Sequence, residues 1–166
     1  MAMNNILITS LDSLLQKNRP DYYSALNPGV KSDQLAELEH LVGIALPADF
    51  RLLYEWRNGQ NSSNSDNFHA NWMFMPIGDI IEIKVMLDEM IGTDFQDPDY
   101  WRREWIPFLD NGGGSYLCLD VLSKNGQEPG QLIAFWKADV DRPVKYASVS
   151  ELIGKIVSSF ANAGNA

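Results

Sequence analysis

The stretch SYLCLDVLS (115–123) constrains the fold more than any other part of the chain. Read as a strand, it places Tyr116, Cys118 and Asp120 on one side and Leu117, Leu119 and Val121 on the other. KNGQEPG (124–130) follows, with an Asn-Gly and a Pro-Gly turn signal, and leads into the apolar run QLIAFWK (131–137). Two strands joined in this way predict an antiparallel hairpin with a rather long loop. WMFMP (72–76) reads as a short strand ended by proline. WIPFLD (105–110) reads as a short strand or an extended edge, and Val144–Tyr146 as a further short strand.

Helical spacing surrounds these strands. Ile6, Leu11, Leu14 and Leu15 share a face if residues 5–17 are helical, before Arg19-Pro20 and Asn27-Pro28-Gly29 mark a break and a turn. Ser32 is the expected N-cap of a helix carrying Leu35, Leu38, Leu41 and Val42, which Gly43 can close. Pro47 opens a second helix through Phe50, Leu53 and Tyr54, with Asn58-Gly59 as its stop and an exposed loop over 59–67. Asp79 and Glu82 have capping-box spacing before Ile83, Met86, Leu87 and Met90, and an acidic loop follows over 93–99. Ser148 and Glu151 repeat that spacing before Leu152, Ile153, Ile156, Val157 and Phe160. Helices, then strands, then a closing helix predict an α+β fold, a single domain with a central mostly antiparallel sheet covered by helices. A length of 166 residues suits one core, and 45% hydrophobic residues suffice to fill it.

The formal charge of −9 argues against direct binding of nucleic acid and against docking on an anionic membrane. It favours a basic partner, although it also serves solubility alone. Cys118 is the single cysteine, so no internal disulfide forms, which suits a reducing compartment. With no apolar run long enough to span a bilayer and no secretory pattern at the start, the cytoplasm is the expected location.

Catalytic and metal signals are sparse. His40, His69 and Cys118 do not stand at ligand spacing, so neither metal nor other cofactor is expected. Gly112-Gly113-Gly114 precedes a strand rather than a helix, which fits a tight turn better than a phosphate cradle. The carboxylates Asp94, Asp97, Asp99, Asp110, Asp120, Asp139 and Asp141 could include a glycosidase-like pair, but spacing in sequence does not give their separation. Asp120, inside an apolar strand, must face solvent, find a partner or serve a site. Trp56, Trp72, Trp101, Trp105 and Trp136 flank acidic or turn segments. Such rings anchor protein interfaces, and two or three of these five are expected in the core.

Four ordered stretches carry a family likeness: ALNPGVKSDQLAELEHLVGIALP (25–47), LPADFRLLYEWRNGQ (46–60), FMPIGDIIE (74–82) and WIPFLDNGGGSYLCLDV (105–121). Together they resemble the SUKH superfamily, which includes the fungal Smi/Knr regulators of cell-wall glucan synthesis. The resemblance implies an SMI/KNR-like domain over 26–160, with an N-terminal helical extension (1–25) packed on it and a C-terminal tail (161–166). It implies a non-catalytic protein-binding role. The bacterial version is an immunity protein that neutralises a cognate toxin domain, such as a nuclease. The alternative is a regulatory scaffold linked to cell-wall synthesis, and a carboxylate-dependent hydrolase ranks third. The matched motifs nominate Trp56, Asn58, Gly59, Asp110, Asn111 and Asp120 as partner-binding residues. Helix termination explains Asn58 and Gly59 equally well. Partner identity and oligomeric state are not legible at this level.

Overall fold

A computed structural model describes residues 5–122 and 129–164. The chain opens with α1 (Asn5–Asn18), the short α2 (Pro20–Ser24) and β1 (Leu26–Pro28). Ile8, Leu11 and Leu15 form the buried stripe of α1, whereas Ile6 is 74% exposed. The buried stripe therefore begins at Ile8, and Ile6 lies off it. α3 (Ser32–Val42) buries Leu35 and Leu38 and ends at Gly43, whose φ of 73° is the left-handed conformation expected there. Its N-cap is Lys31 rather than Ser32, and the Gln34 side chain reaches back to the Lys31 N–H at 3.2 Å.

α4 (Ala48–Trp56) follows Pro47 and buries Phe50, Leu53 and Tyr54. Asn58-Gly59 does not act as a helix stop. The helix has already ended, and Arg57–Gln60 forms β2, antiparallel to β1. The stop reading fails because β1 offers the Arg57–Gln60 backbone a ladder, a partner invisible to local propensity. The polar segment 59–67 is likewise not wholly exposed, since Gln60 is buried.

The main sheet has five strands: β3 (Met73–Phe74), β4 (Trp105–Asp110), β5 (Tyr116–Asp120), β6 (Leu132–Phe135) and β7 (Val144–Tyr146). They lie in sequence order and every neighbouring pair is antiparallel. The 115–137 hairpin is therefore present, although its Asn125-Gly126 dipeptide falls outside the described residues. β4 is not an edge but an inner strand, buried from Trp105 to Leu109. β5 does not show a wet and a dry side either. Phe135, opposite Tyr116, packs edge-on to Trp101 and Tyr100, while Leu117 and Leu119 on the other face are equally buried. Layers on both faces replace the polar side that simple alternation suggests.

α5 (Ile77–Glu89) starts two residues before Asp79, so Asp79 lies in its first turn rather than capping it. The cap comes from a distant segment: Asn58 Oδ1 accepts the Ile77 N–H at 2.7 Å. α6 (Val149–Gly164) keeps the predicted start, with Ser148 Oγ accepting the Glu151 N–H at 3.0 Å. It continues helically through 164. Trp72, Trp101 and Trp105 belong to the core, whereas Trp56 and Trp136 are partly buried against it.

The polar joints of this fold converge on Met75–Pro76. Gly59 has φ +66°, and a Cβ placed there would lie 2.3 Å from Pro76 N and 2.4 Å from Met75 C. Tyr54 Oη donates to Met75 O at 2.8 Å, and the Met75 N–H donates to Phe108 O at 3.1 Å. Gly59→Ala combines left-handed strain with a backbone clash that no rotamer relieves. It is expected to cost about 3 kcal/mol or more, read as a lower midpoint in urea denaturation.

Candidate functional site

Of the six nominated residues, four gather at one end of the sheet. Asn58 and Gly59 contact Met75, Pro76 and Ile77, while Asp110 pairs with Met73 and Asn111 follows it. Asp120 sits opposite Trp105, at the other end of β4, and Trp56 turns toward α1, donating its indole N–H to Asp12 at 2.8 Å. They do not form one cluster.

Each polar side chain among them is engaged within the fold. Asn58 caps α5 as described. Asp110 accepts the Gly112 N–H at 2.7 Å, and Asn111 Oδ1 accepts those of Gly113 and Ser115 at 2.8 and 3.1 Å. Asp120 accepts the Leu122 N–H at 3.1 Å. Burial raises its carboxyl above the usual range; the Leu122 bond opposes this, Glu104 adds to it, and a hydrogen bond with Trp105 and the charge of Arg102 oppose it again. Glu104 in turn stands 4.0 Å from Arg102. Both acids of this neighbourhood therefore have partners inside the protein.

Two kinds of surface feature remain, grooves and a charged face. The first is a groove of about 310 Å³ beside Gly59, lined by Gln60, the 61–65 loop, Met73–Pro76, Asp79 and Asp110. Burial raises the Asp79 carboxyl, and the charges of Glu82 and Asp110 raise it further. A larger groove of about 640 Å³ lies between α1 and α6, floored by small residues such as Ser10, Ser150 and Gly154. None of the nominated residues lines it.

The second feature is an acidic face built from two adjoining loops, 93–100 and 137–142. Tyr100 Oη donates to Lys137 O at 2.7 Å, and Arg142 Nε donates to Tyr100 O at 3.0 Å, which holds the loops side by side. Arg142 Nη1 also donates to the carbonyls of Asp139 and Asp141, both at 2.8 Å, and its guanidinium lies over Phe135 at 4.4 Å. With Arg142 turned inward, Asp94, Asp97 and Asp99 stand exposed on one loop, Asp99 paired with Arg102, and Asp139 and Asp141 stand exposed on the other, on either side of Val140, itself 71% exposed. The Phe95–Tyr100 ring pair lies beside them.

Lys84 shows the same inward use of a cation. It is fully buried, and its Nζ donates to Asp88 at 3.0 Å and to Arg103 O at 2.5 Å. Asp88 also accepts the Trp101 indole N–H at 2.8 Å, so this pair fastens the 90–104 segment to α5. Neither Lys84 nor Arg142 stands out in the sequence. A cation in the apolar run IIEIKVML was the one available hint of an internal partner.

Among the described residues no group of His, Cys, Asp and Glu could hold a metal ion, and no helix is long and apolar enough to cross a membrane. Fold and site together define a single α+β domain whose motif residues brace turns and helix ends. The chain belongs to the SMI1 / KNR4 family (SUKH-1), whose profile matches residues 29–157. No individual curated protein matches it. The matched span leaves out α1, which nevertheless supplies Ile8, Leu11 and Leu15 to the core.

Asp79 accepts no hydrogen bond among the described residues, so only its place in the first turn of α5 offsets the penalty on its charge. Because its folded pKa is raised, the penalty is full at pH 7 and fades as pH falls through the folded value. Asp79→Asn is expected to stabilise the protein at pH 7 by at most a few tenths of a kcal/mol, since solvent screens this exposed group and the helix dipole favours its charge. Urea midpoints at pH 7 and near pH 4 check this, and the gain should shrink at the lower pH.

Proposed function

We propose that the protein is a non-catalytic binding domain of the immunity type, which captures and blocks a cognate toxin domain in the cytoplasm of the producing cell. The observation that carries this reading is the acidic face of the adjoining loops 93–100 and 137–142, on which Asp94, Asp97, Asp99, Asp139 and Asp141 are exposed together with Val140. A nuclease presents a basic surface to its phosphate-bearing substrate, and such a surface is complementary to this face. Long-range attraction would speed the encounter, and Val140 with the Phe95–Tyr100 pair would supply apolar contact. Membership of the SMI1 / KNR4 family (SUKH-1) supports a role in protein–protein interaction. Asp110, Asn111 and Asp120 contribute to this role mainly by holding the sheet and its turns in shape.

The test begins with capture from the native cell and identification of the bound protein. That protein, expressed alone in a foreign host, should arrest growth, and co-expression of the present chain should restore it. The double reversal Asp94→Lys with Asp141→Lys, at carboxylates that accept no backbone N–H among the described residues, should weaken binding by about tenfold or more and flatten its salt dependence, with an unchanged thermal midpoint. Binding that is indifferent to both the reversal and the ionic strength would remove the acidic face from the mechanism. A partner from the envelope-synthesis machinery would favour the regulatory scaffold of the SMI/KNR type.

A further inference from the structure

We propose that Asn111-Gly112 is a self-modification site, at which the folded turn accelerates conversion of Asn111 to a succinimide and then to aspartate or isoaspartate. The inference is independent of the protein-binding reading and rests on three hydrogen bonds within one turn. Asp110 ends β4, and residues 111–115 turn the chain into β5. Across that turn the Asp110 carboxylate accepts the Gly112 N–H at 2.7 Å. The Asn111 side-chain oxygen accepts two backbone N–H groups, from Gly113 at 2.8 Å and Ser115 at 3.1 Å.

These contacts serve two needs of intramolecular deamidation, a base and an oxyanion site. The Gly112 nitrogen must lose its proton as it attacks Cγ of Asn111, and Asp110 already holds that proton at the distance required of a general base. Negative charge then develops on Asn111 Oδ1, where the Gly113 and Ser115 N–H groups already point, as donors do in an oxyanion hole. A bond forms between Gly112 N and Asn111 Cγ, and the Cγ–Nδ2 bond breaks. Nδ2 departs as ammonia, carrying the proton that Asp110 received. Water then opens the ring on either side, giving aspartate or isoaspartate at 111.

The site is also accessible. Gly112 and Gly113 are exposed, and a Cβ at Gly112 would meet only the methyl of Met73, at 3.4 Å. Asn111 Nδ2 makes no hydrogen bond among the described residues, so the leaving group is not tied back. Asn58-Gly59, with the same dipeptide, provides an internal contrast. There the Asn58 oxygen holds the Ile77 N–H, and Gly59 is buried against the backbone of Met75 and Pro76. One dipeptide is arranged for the reaction and the other is blocked. The product adds a carboxylate next to Asp110, at the rim of the groove that Asp110 shares with Asp79.

The purified full chain, held at neutral pH and 37 °C and sampled by peptide mapping, tests this. Separate peptides report Asn58, Asn111 and Asn125, so the Asn-Gly dipeptide outside the described residues does not confuse the reading. Loss at Asn111 should be at least about tenfold faster in the folded protein than in the same chain unfolded in urea, while Asn58 is retained in the folded protein. Asp110→Asn can still accept the Gly112 N–H but is no base, and should slow the folded reaction by about 10²-fold with no change in urea. Loss at Asn111 that is no faster folded than unfolded, or an unchanged rate in folded Asp110→Asn, overturns the proposal. If that variant does not fold, the folded-against-unfolded comparison of the natural chain decides alone.

Discussion

The amide of Gln60, buried where β2 meets the main sheet, is the interaction on which the arrangement depends. Its oxygen accepts from Tyr22 Oη and from the Phe74 N–H, both at 2.8 Å, and its nitrogen donates to the carbonyls of Asn64 and Asp66 at 3.0 and 2.8 Å. Those are the four bonds a glutamine amide can make. They tie the N-terminal helices, the polar 61–67 loop and the first strand of the main sheet to one side chain. Left unsatisfied in the interior, each of these groups would carry a desolvation cost of about 1–3 kcal/mol. Gly59, immediately before it, permits the close approach to Met75–Pro76 that brings Gln60 into range.

The same economy of polar groups shapes the surface. Arg19 donates to the carbonyls of Asn67 and Phe68, Arg142 to those of its own loop and Tyr100, and Lys84 to Arg103 O and Asp88. Cations occupied with backbone oxygens contribute less to the outward field than exposed ones would. The acids of loops 93–100 and 137–142 stand in solvent by contrast. In the proposed role the interior cations hold the two loops together, while Asp97 and Asp139 both turn their own loops, by accepting backbone N–H groups, and add charge to the face that meets the partner.

The family motifs gain a physical meaning from this. Their residues look like a binding site when read in line, because Trp, Asn, Asp and Gly are common at interfaces and in turns alike. In space they are braces: Asn58 on α5, Asp110 and Asn111 on the 111–115 turn, Asp120 on the chain leaving β5, and Trp56 on α1. The Asp79 groove drew no notice in sequence because Asp79 reads as a helix-start residue, and its neighbours Gln60 and Asp110 lie in other motifs.

Periodicity and turn chemistry alone determined that five helices lie around Leu11, Leu38, Leu53, Leu87 and Leu152, though not every boundary, along with the β5–β6 hairpin and the α+β class. These follow from the spacing of Leu, Ile and Phe, from the left-handed tolerance of Gly43 and from the Ser148–Glu151 cap, all of them properties of neighbouring residues. Only the tertiary structure decided that Arg57–Gln60 is a strand, that β4 is interior, that Asn58 caps a helix nineteen residues away, and that Lys84 is dry. Each of those outcomes depends on a partner far along the chain. Burial and long-range hydrogen bonds are pairwise quantities, and a single position read in line carries only one half of the pair.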